Sequence, residues 1–208
     1  ESRSISLPEP LENGMVLQVV NNPEASYVTA FVQGNIPAEG LLLVSQTRGI
    51  VNYMIQGGLT NGVWGVRIPK ENLIAGINQI SILDTTGKPL LERLIFIHPE
   101  DYLDLSLSMK GSIQPREKLS LELQNSLNGK VQPGTFSVAV LDADQVEDER
   151  DIYGTIASQL LLSSDLPGKI YLPGYYFKDN SPETLAAMDL VMLTHGWRRF
   201  TWEEVLEQ

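Results

Sequence analysis

The feature that most restricts this chain is a series of short apolar or alternating stretches from Met15 to Ile97, each closed by turn residues. Side chains on an extended backbone point alternately to opposite faces, so a period of two marks strands with one face turned to a core. The stretches are Met15–Val20, Tyr27–Gln33, Leu41–Gln46, Ile50–Ile55, Val63–Ile68, Ile77–Leu83 and Leu90–Ile97. Between them stand Asn21-Asn22-Pro23, Pro37-Ala38-Glu39-Gly40, Arg48-Gly49, Gly57-Gly58, Asn61-Gly62, Pro69-Lys70 and Thr86-Gly87-Lys88. Strands at a spacing of about 8–12 residues with this punctuation predict an antiparallel, Ig-like β-sandwich. Asp84-Thr85-Thr86-Gly87 predicts a hairpin between the last two strands. No heptad or helical periodicity competes here.

His98-Pro99-Glu100-Asp101 breaks the pattern and predicts a boundary. Alternation resumes in Leu103/Leu105/Leu107, Leu119/Leu121/Leu123 and Phe136/Val138/Val140, with Asn128-Gly129-Lys130 as a tight turn. Three strands are too few to cover two faces, so something else must complete that core. After Asp142 the character changes. Asp151–Leu162 carries helical spacing weakened by Gly154. Ser181-Pro182-Glu183 opens a better helix, with a capping hydroxyl, proline in the first turn and an acid beside the helix N-terminus. Leu185, Met188, Leu190, Val191 and Met192 give it an apolar face, and Gly196 ends it. Thr201-Trp202-Glu203-Glu204 reads as a capping box for a last short helix. The expected layout is a linker over 1–12, an Ig-like sandwich over 13–98, and a second, partial β-sandwich over 99–208 completed by a helical C-terminal tail.

Composition narrows the function. The chain of 208 residues carries 15 Lys+Arg against 26 Asp+Glu, a net charge of −11. Such a balance speaks against a nucleic-acid binder or a protein held to anionic lipid by charge. The absence of cysteine excludes disulfides, thiolate zinc sites and a cysteine nucleophile, and two histidines leave little for an imidazole metal site. No apolar run reaches the roughly 18–20 residues a membrane-spanning helix needs, so no direct membrane insertion by this segment is expected. The chain starts at Glu1 with a polar, proline-bearing stretch over Ser2–Glu9, and is expected to be a segment of a longer protein.

Three local strings invite chemistry. The acidic run containing Asp142, Asp144 and Asp148 offers hard oxygens to calcium, but its spacing departs from the EF-hand loop. The plainer reading is a solvated loop whose acids precede a helix N-terminus, where the dipole favours them. His195-Gly196-Trp197-Arg198-Arg199-Phe200, with Trp202 beyond, offers Trp197, Arg198, Arg199 and Trp202 for stacking and bidentate bonds to a carboxylate, a glycan or a partner chain. The same string suits a helix end anchored by its tryptophans. Tyr175 and Tyr176, followed by Phe177, offer a sugar-stacking platform or an aromatic plug beneath the tail. No G-x-S-x-G elbow, phosphate loop or singled-out carboxylate pair is present. No cofactor is expected, nor a catalytic set.

Several strings resemble a known arrangement. Gly76-Ile77-Asn78-Gln79-Ile80 followed by Glu92-Arg93-Leu94-Ile95-Phe96 is similar to consecutive strands in large surface proteins of Bacteroidota. Phe136–Asp142, Leu161–Gly168, Tyr175-Tyr176-Phe177 and Asp189-Leu190-Val191-Met192-Leu193-Thr194-His195-Gly196-Trp197-Arg198-Arg199 follow in the same order. Together they resemble the macroglobulin-like region of envelope proteins that often also carry a carboxypeptidase-regulatory-like domain and a TonB-dependent-receptor plug. The resemblance covers most of residues 36–202. It implies tandem β-sandwich modules, periplasmic or associated with the outer membrane, with no assigned catalytic residues. Without cysteine the reactive thioester of the α-macroglobulin protease traps cannot form in this segment. The expected role is a non-enzymatic structural or interaction segment, whose partners are neighbouring domains of the same longer chain, another envelope protein or a glycan. The alternative is a glycan- or peptide-binding module using exposed aromatics or a sheet edge.

Overall fold

The computed structural model describes residue 9 and residues 12–99, 102–111, 116–142, 144 and 150–195. They divide into two compact units: one joins the segment ending at Ile97 to the segment beginning at Glu149, and the other spans His98–Asp148.

In the first unit, β1 (Met15–Val20), β2 (Tyr27–Gly34) and β5 (Val63–Pro69) form a sheet in the order β1-β2-β5. β3 (Leu41–Thr47), β4 (Ile50–Gly57), β6 (Gly76–Leu83) and β7 (Pro89–Ile97) form the second, in the order β4-β3-β6-β7. Every pairing is antiparallel. The expected Ig-like sandwich is present, with its fourth strand beside the third. Val28, Ala30 and Val32 of β2 with Val66 and Ile68 of β5 meet Leu41 and Leu43 of β3, Ile80 and Ile82 of β6, and Ile95 and Ile97 of β7 in one core. Each set follows the alternation legible in the sequence.

Turn chemistry fixes the register. Arg48-Gly49 joins β3 to β4 with φ of 52° and 81°. Two successive positive φ values are what a two-residue hairpin matching the strand twist requires, and glycine meets the second without steric cost. At the β6–β7 turn the Asp84 carboxylate accepts from the Thr86 hydroxyl (2.6 Å), the Thr86 amide (2.8 Å) and the Lys88 amide (3.0 Å). The Thr86 hydroxyl contributes most to holding the Asp84 carboxyl below its ordinary pKa, followed by the Lys88 amide.

β6 is buried at every position, which a two-layer sandwich does not explain. The cause is a third layer. α1 (Arg150–Tyr153) is followed by α2 (Ile156–Ser158), which Thr155 caps and which continues as a wider turn over Gln159–Ser163. After a further single turn at Tyr175–Phe177, α3 (Pro182–Thr194) begins behind its Ser181 cap. Leu162, Leu166, Ile170, Met188, Val191 and Met192 from these segments pack on Ile77 of β6 and on Leu94 and Phe96 of β7. The expectation that the C-terminal helices complete the second β domain is therefore corrected. They cover the outer face of the first sandwich, where Leu94 and Phe96 of β7 are apolar and need shelter.

Two ion pairs bind this layer to the sandwich. Arg93 of β7 places one Nη at 2.7 and 2.9 Å from the two oxygens of Asp189 on α3, and its other Nη donates to the Leu94 carbonyl (2.6 Å). Arg48, at the β3–β4 turn, donates through Nε to Asp165 (2.8 Å) and through an Nη to the Leu160 carbonyl. At one end of the sandwich a buried polar knot forms around the Asn78 amide. Its Oδ1 accepts from the Thr47 hydroxyl (2.8 Å) and from Asn52 (3.0 Å), and its Nδ2 donates to the Ile74 carbonyl (2.7 Å).

The second unit holds a three-stranded sheet in the order β10-β9-β8, made of β8 (Asp104–Lys110), β9 (Ser120–Leu127) and β10 (Lys130–Val131). Asn128-Gly129 turns β9 into β10 with φ of 51° and 73°, as its sequence predicts. Residues 135–141, expected as a third full strand, join no ladder among the described residues.

The three-layer packing has a measurable consequence. Met188 is 2% exposed and Leu190 is 60% exposed on the same helix. Met188→Ala is expected to cost about 2–5 kcal/mol in urea unfolding of the first unit, against under about 0.5 kcal/mol for Leu190→Ala. Equal effects of the two substitutions would contradict the docking of α3 on β7.

Candidate functional site

The single turn at Tyr175–Phe177 brings the tyrosine pair together with α3. The two tyrosine rings meet edge to face at 5.6 Å, and the Lys178 ammonium lies 4.0 Å from the centroid of Tyr175. Tyr176 and Phe177 turn inward onto the cluster of Ile77, Leu94 and Phe96, and Phe177 meets Phe96 edge to face at 5.5 Å. Desolvation, with a smaller contribution from Tyr175, raises the pKa of Tyr176. Both tyrosines are half-buried, and Tyr176 packs against the third layer while Tyr175 lies beneath the Lys178 ammonium. A flat platform for a sugar would need an open ring face, and Tyr176 turns toward the buried cluster instead.

The start of α3 is held by a compact polar device. Asp179 accepts from the Thr184 hydroxyl (2.7 Å) and the Ser181 amide (3.0 Å), while the Ser181 hydroxyl accepts from the Thr184 amide (3.3 Å). Hydrogen bonding to the charged carboxylate, first from Thr184 and then from Ser181, depresses the Asp179 pKa to about 2. At the other end the His195 amide donates to the Val191 carbonyl (3.0 Å), with His195 Nδ1 3.3 Å from the same oxygen. Trp197, Arg198, Arg199 and Trp202, with the expected last helix, lie outside the described residues.

In the acidic run, the Asp142 carboxylate accepts from the Asp144 amide (3.0 Å), a local turn, and Asp148 lies outside the described residues. Among the described residues no three His, Cys, Asp or Glu side chains gather as a metal site would require. No helix of the described residues is long and apolar enough to cross a membrane.

The surface that stands out is one for which the sequence marked only an incomplete core. Leu105, Leu107 and Met109 occupy one face of β8, opposite Asn125, Leu123 and Leu121 of β9. Leu105, Leu107, Met109 and Leu121 are 59%, 60%, 54% and 41% exposed. A contiguous apolar sheet face of this kind in solvent marks an interaction surface. β8 is moreover an edge strand, so one row of its backbone donors and acceptors has no ladder partner among the described residues. The apolar alternation was legible in the sequence; that nothing in the described structure covers it was not. No protein-family model, curated protein or solved structure matches the chain.

The Asp179 device carries a pH signature. A depressed folded-state pKa stabilises above the unfolded carboxylate value near 4 and is lost as pH falls toward about 2. Asp179→Asn is expected to lower Tm at pH 7, and the gap to the unsubstituted protein should shrink between pH 4 and pH 2. A gap independent of pH would assign Asp179 a different role.

Proposed function

We propose that this chain is a non-enzymatic structural and interaction segment of a larger, outer-membrane-associated protein, extracytoplasmic in location and linked to TonB-dependent nutrient uptake. The reading combines the resemblance of Gly76–Ile80, Glu92–Phe96 and Asp189–Arg199 to macroglobulin-like envelope regions with the two kinds of surface on this molecule. The first unit covers both faces of its larger sheet along β6. The second presents an open one. The observation that carries the interaction role is the solvent-facing row of Leu105, Leu107, Met109 and Leu121 beside a strand edge that no strand among the described residues pairs.

That edge also favours the second reading, a module that binds an extended peptide by strand addition. Main-chain bonds along β8 would supply affinity, and the apolar face would select alternate side chains. A glycan platform built on the tyrosine pair draws less support, because Tyr176 is committed to packing beneath α3.

Two measurements test the proposal. The folded chain is expected to bind an apolar fluorescent dye, and Leu107→Lys should remove most of that signal while leaving the circular dichroism of the sheets unchanged. A folded chain that binds no dye would overturn the interaction role. In cells making the full-length gene product, the protein is expected in the outer-membrane or periplasmic fraction; recovery in the cytosol would overturn the envelope assignment.

A further inference from the structure

The β8 edge has a property beyond being open: its sequence is self-complementary. Reading Asp104-Leu105-Ser106-Leu107-Ser108-Met109-Lys110 against a second copy running the opposite way, with Leu107 at the centre, sets Asp104 across from Lys110 at both ends. Ser106 then faces Ser108, Leu105 faces Met109, and Leu107 faces its own twin. Acid meets base twice, hydroxyl meets hydroxyl twice, and apolar meets apolar throughout. A shift of one residue would set apolar side chains against polar ones along the whole strand, and a shift of two would keep the alternation but part Asp104 from Lys110, so only the register centred on Leu107 satisfies both.

We propose that the second unit pairs with a second copy of this chain through β8, antiparallel about Leu107, joining two three-stranded sheets into one of six strands. The proposal rests on the interaction reading above and names its partner. A two-fold contact of this kind uses the same patch on both copies, which a strand with this palindromic charge pattern supplies. Three observations point to this edge. Sheet edges are ordinarily guarded by proline, a bulge or a charge within the strand, and Leu105–Met109 carries none of these. The opposite side of the sheet is occupied by the short β10 and by the Gln132 amide donating to the Asn125 carbonyl (2.9 Å). Finally, the charges at the ends of β8 are placed to set direction. Lys110 pairs with Glu122 (2.7 Å) across side chains 74% and 61% exposed, a solvated contact that leaves an ammonium with three donors able to reach a further carboxylate. The exposed β4 edge of the first unit, Ile50–Gly57, holds no charged residue and offers no such register.

The test uses the full chain, which contains no cysteine, so one introduced thiol is unique. Residues directly opposite in an antiparallel pair have Cα atoms about 4.5–5.5 Å apart, within disulfide range. Leu107→Cys is expected to give a covalent dimer under mild oxidation. Leu105→Cys, whose thiol faces Met109, should cross-link far more slowly. In sedimentation velocity the unsubstituted chain is expected to dimerise reversibly. Asp104→Lys and Lys110→Asp should each weaken dimerisation by about tenfold, and the double variant should return to within about threefold of the original. A chain that stays monomeric, cross-links equally at both positions, or gains nothing from the double exchange would overturn the pairing. The same samples are read with the apolar dye. Dye binding by a folded monomer overturns the pairing and leaves the interaction role standing, whereas a monomer without dye binding overturns both.

Discussion

The first unit depends on a sheet that must be covered twice. β6 is buried along its whole length because Ile80 and Ile82 enter the sandwich core while Ile77 enters the layer beneath α3. Burial of apolar area drives this arrangement, and it leaves the sheet's own polar groups to be satisfied internally. Gln79 donates to Glu92 (2.5 Å), and the Ser81 hydroxyl also reaches Glu92 (3.3 Å). The Asn78 knot does the same at the end of the core. A sandwich with its outer face wet would need none of the bonds from Gln79 and Ser81.

Arginine supplies the directional part of the docking. Arg93 fastens α3 to β7 with a side chain only 12% exposed, while Arg48 reaches across from a hairpin turn at 41% exposure. Each pair joins one sheltered and one open group, Asp189 being 53% and Asp165 13% exposed, so solvent screens both. Glu92, Arg93, Phe96, Phe177 and Asp189 all lie in the strings singled out by their resemblance to envelope proteins. In the structure Arg93 meets Asp189 and Phe96 meets Phe177 at the contact between sheet and helices, while Glu92 accepts from Gln79 within the sheet.

The sandwich itself was legible because alternation and turn residues are local signals. Every stretch from Met15–Val20 to Leu90–Ile97 became a strand within a residue or two, and Ser181-Pro182 opened α3 as written. The destination of the helices was not legible. Amphipathicity says that Met188 and Val191 need a partner, never which sheet provides it, and residues 135–141 showed that alternation without a neighbour makes no ladder. An aromatic side chain such as Tyr176 serves equally as platform or plug, and its packing against the cluster of Leu94 and Phe96 is not encoded in local sequence. Arg48 and Asp165 could not be paired from sequence, since 117 residues separate them.

The order of parts along the chain has a consequence for its birth on the ribosome. Strands β6 and β7 emerge well before α3, and the Arg93–Asp189 clasp spans 96 residues with the whole second unit lying between. Until that distant helix arrives, Leu94 and Phe96 face water, so the nascent sandwich passes through a sticky, half-dressed stage whose duration is set by translation speed and loop closure.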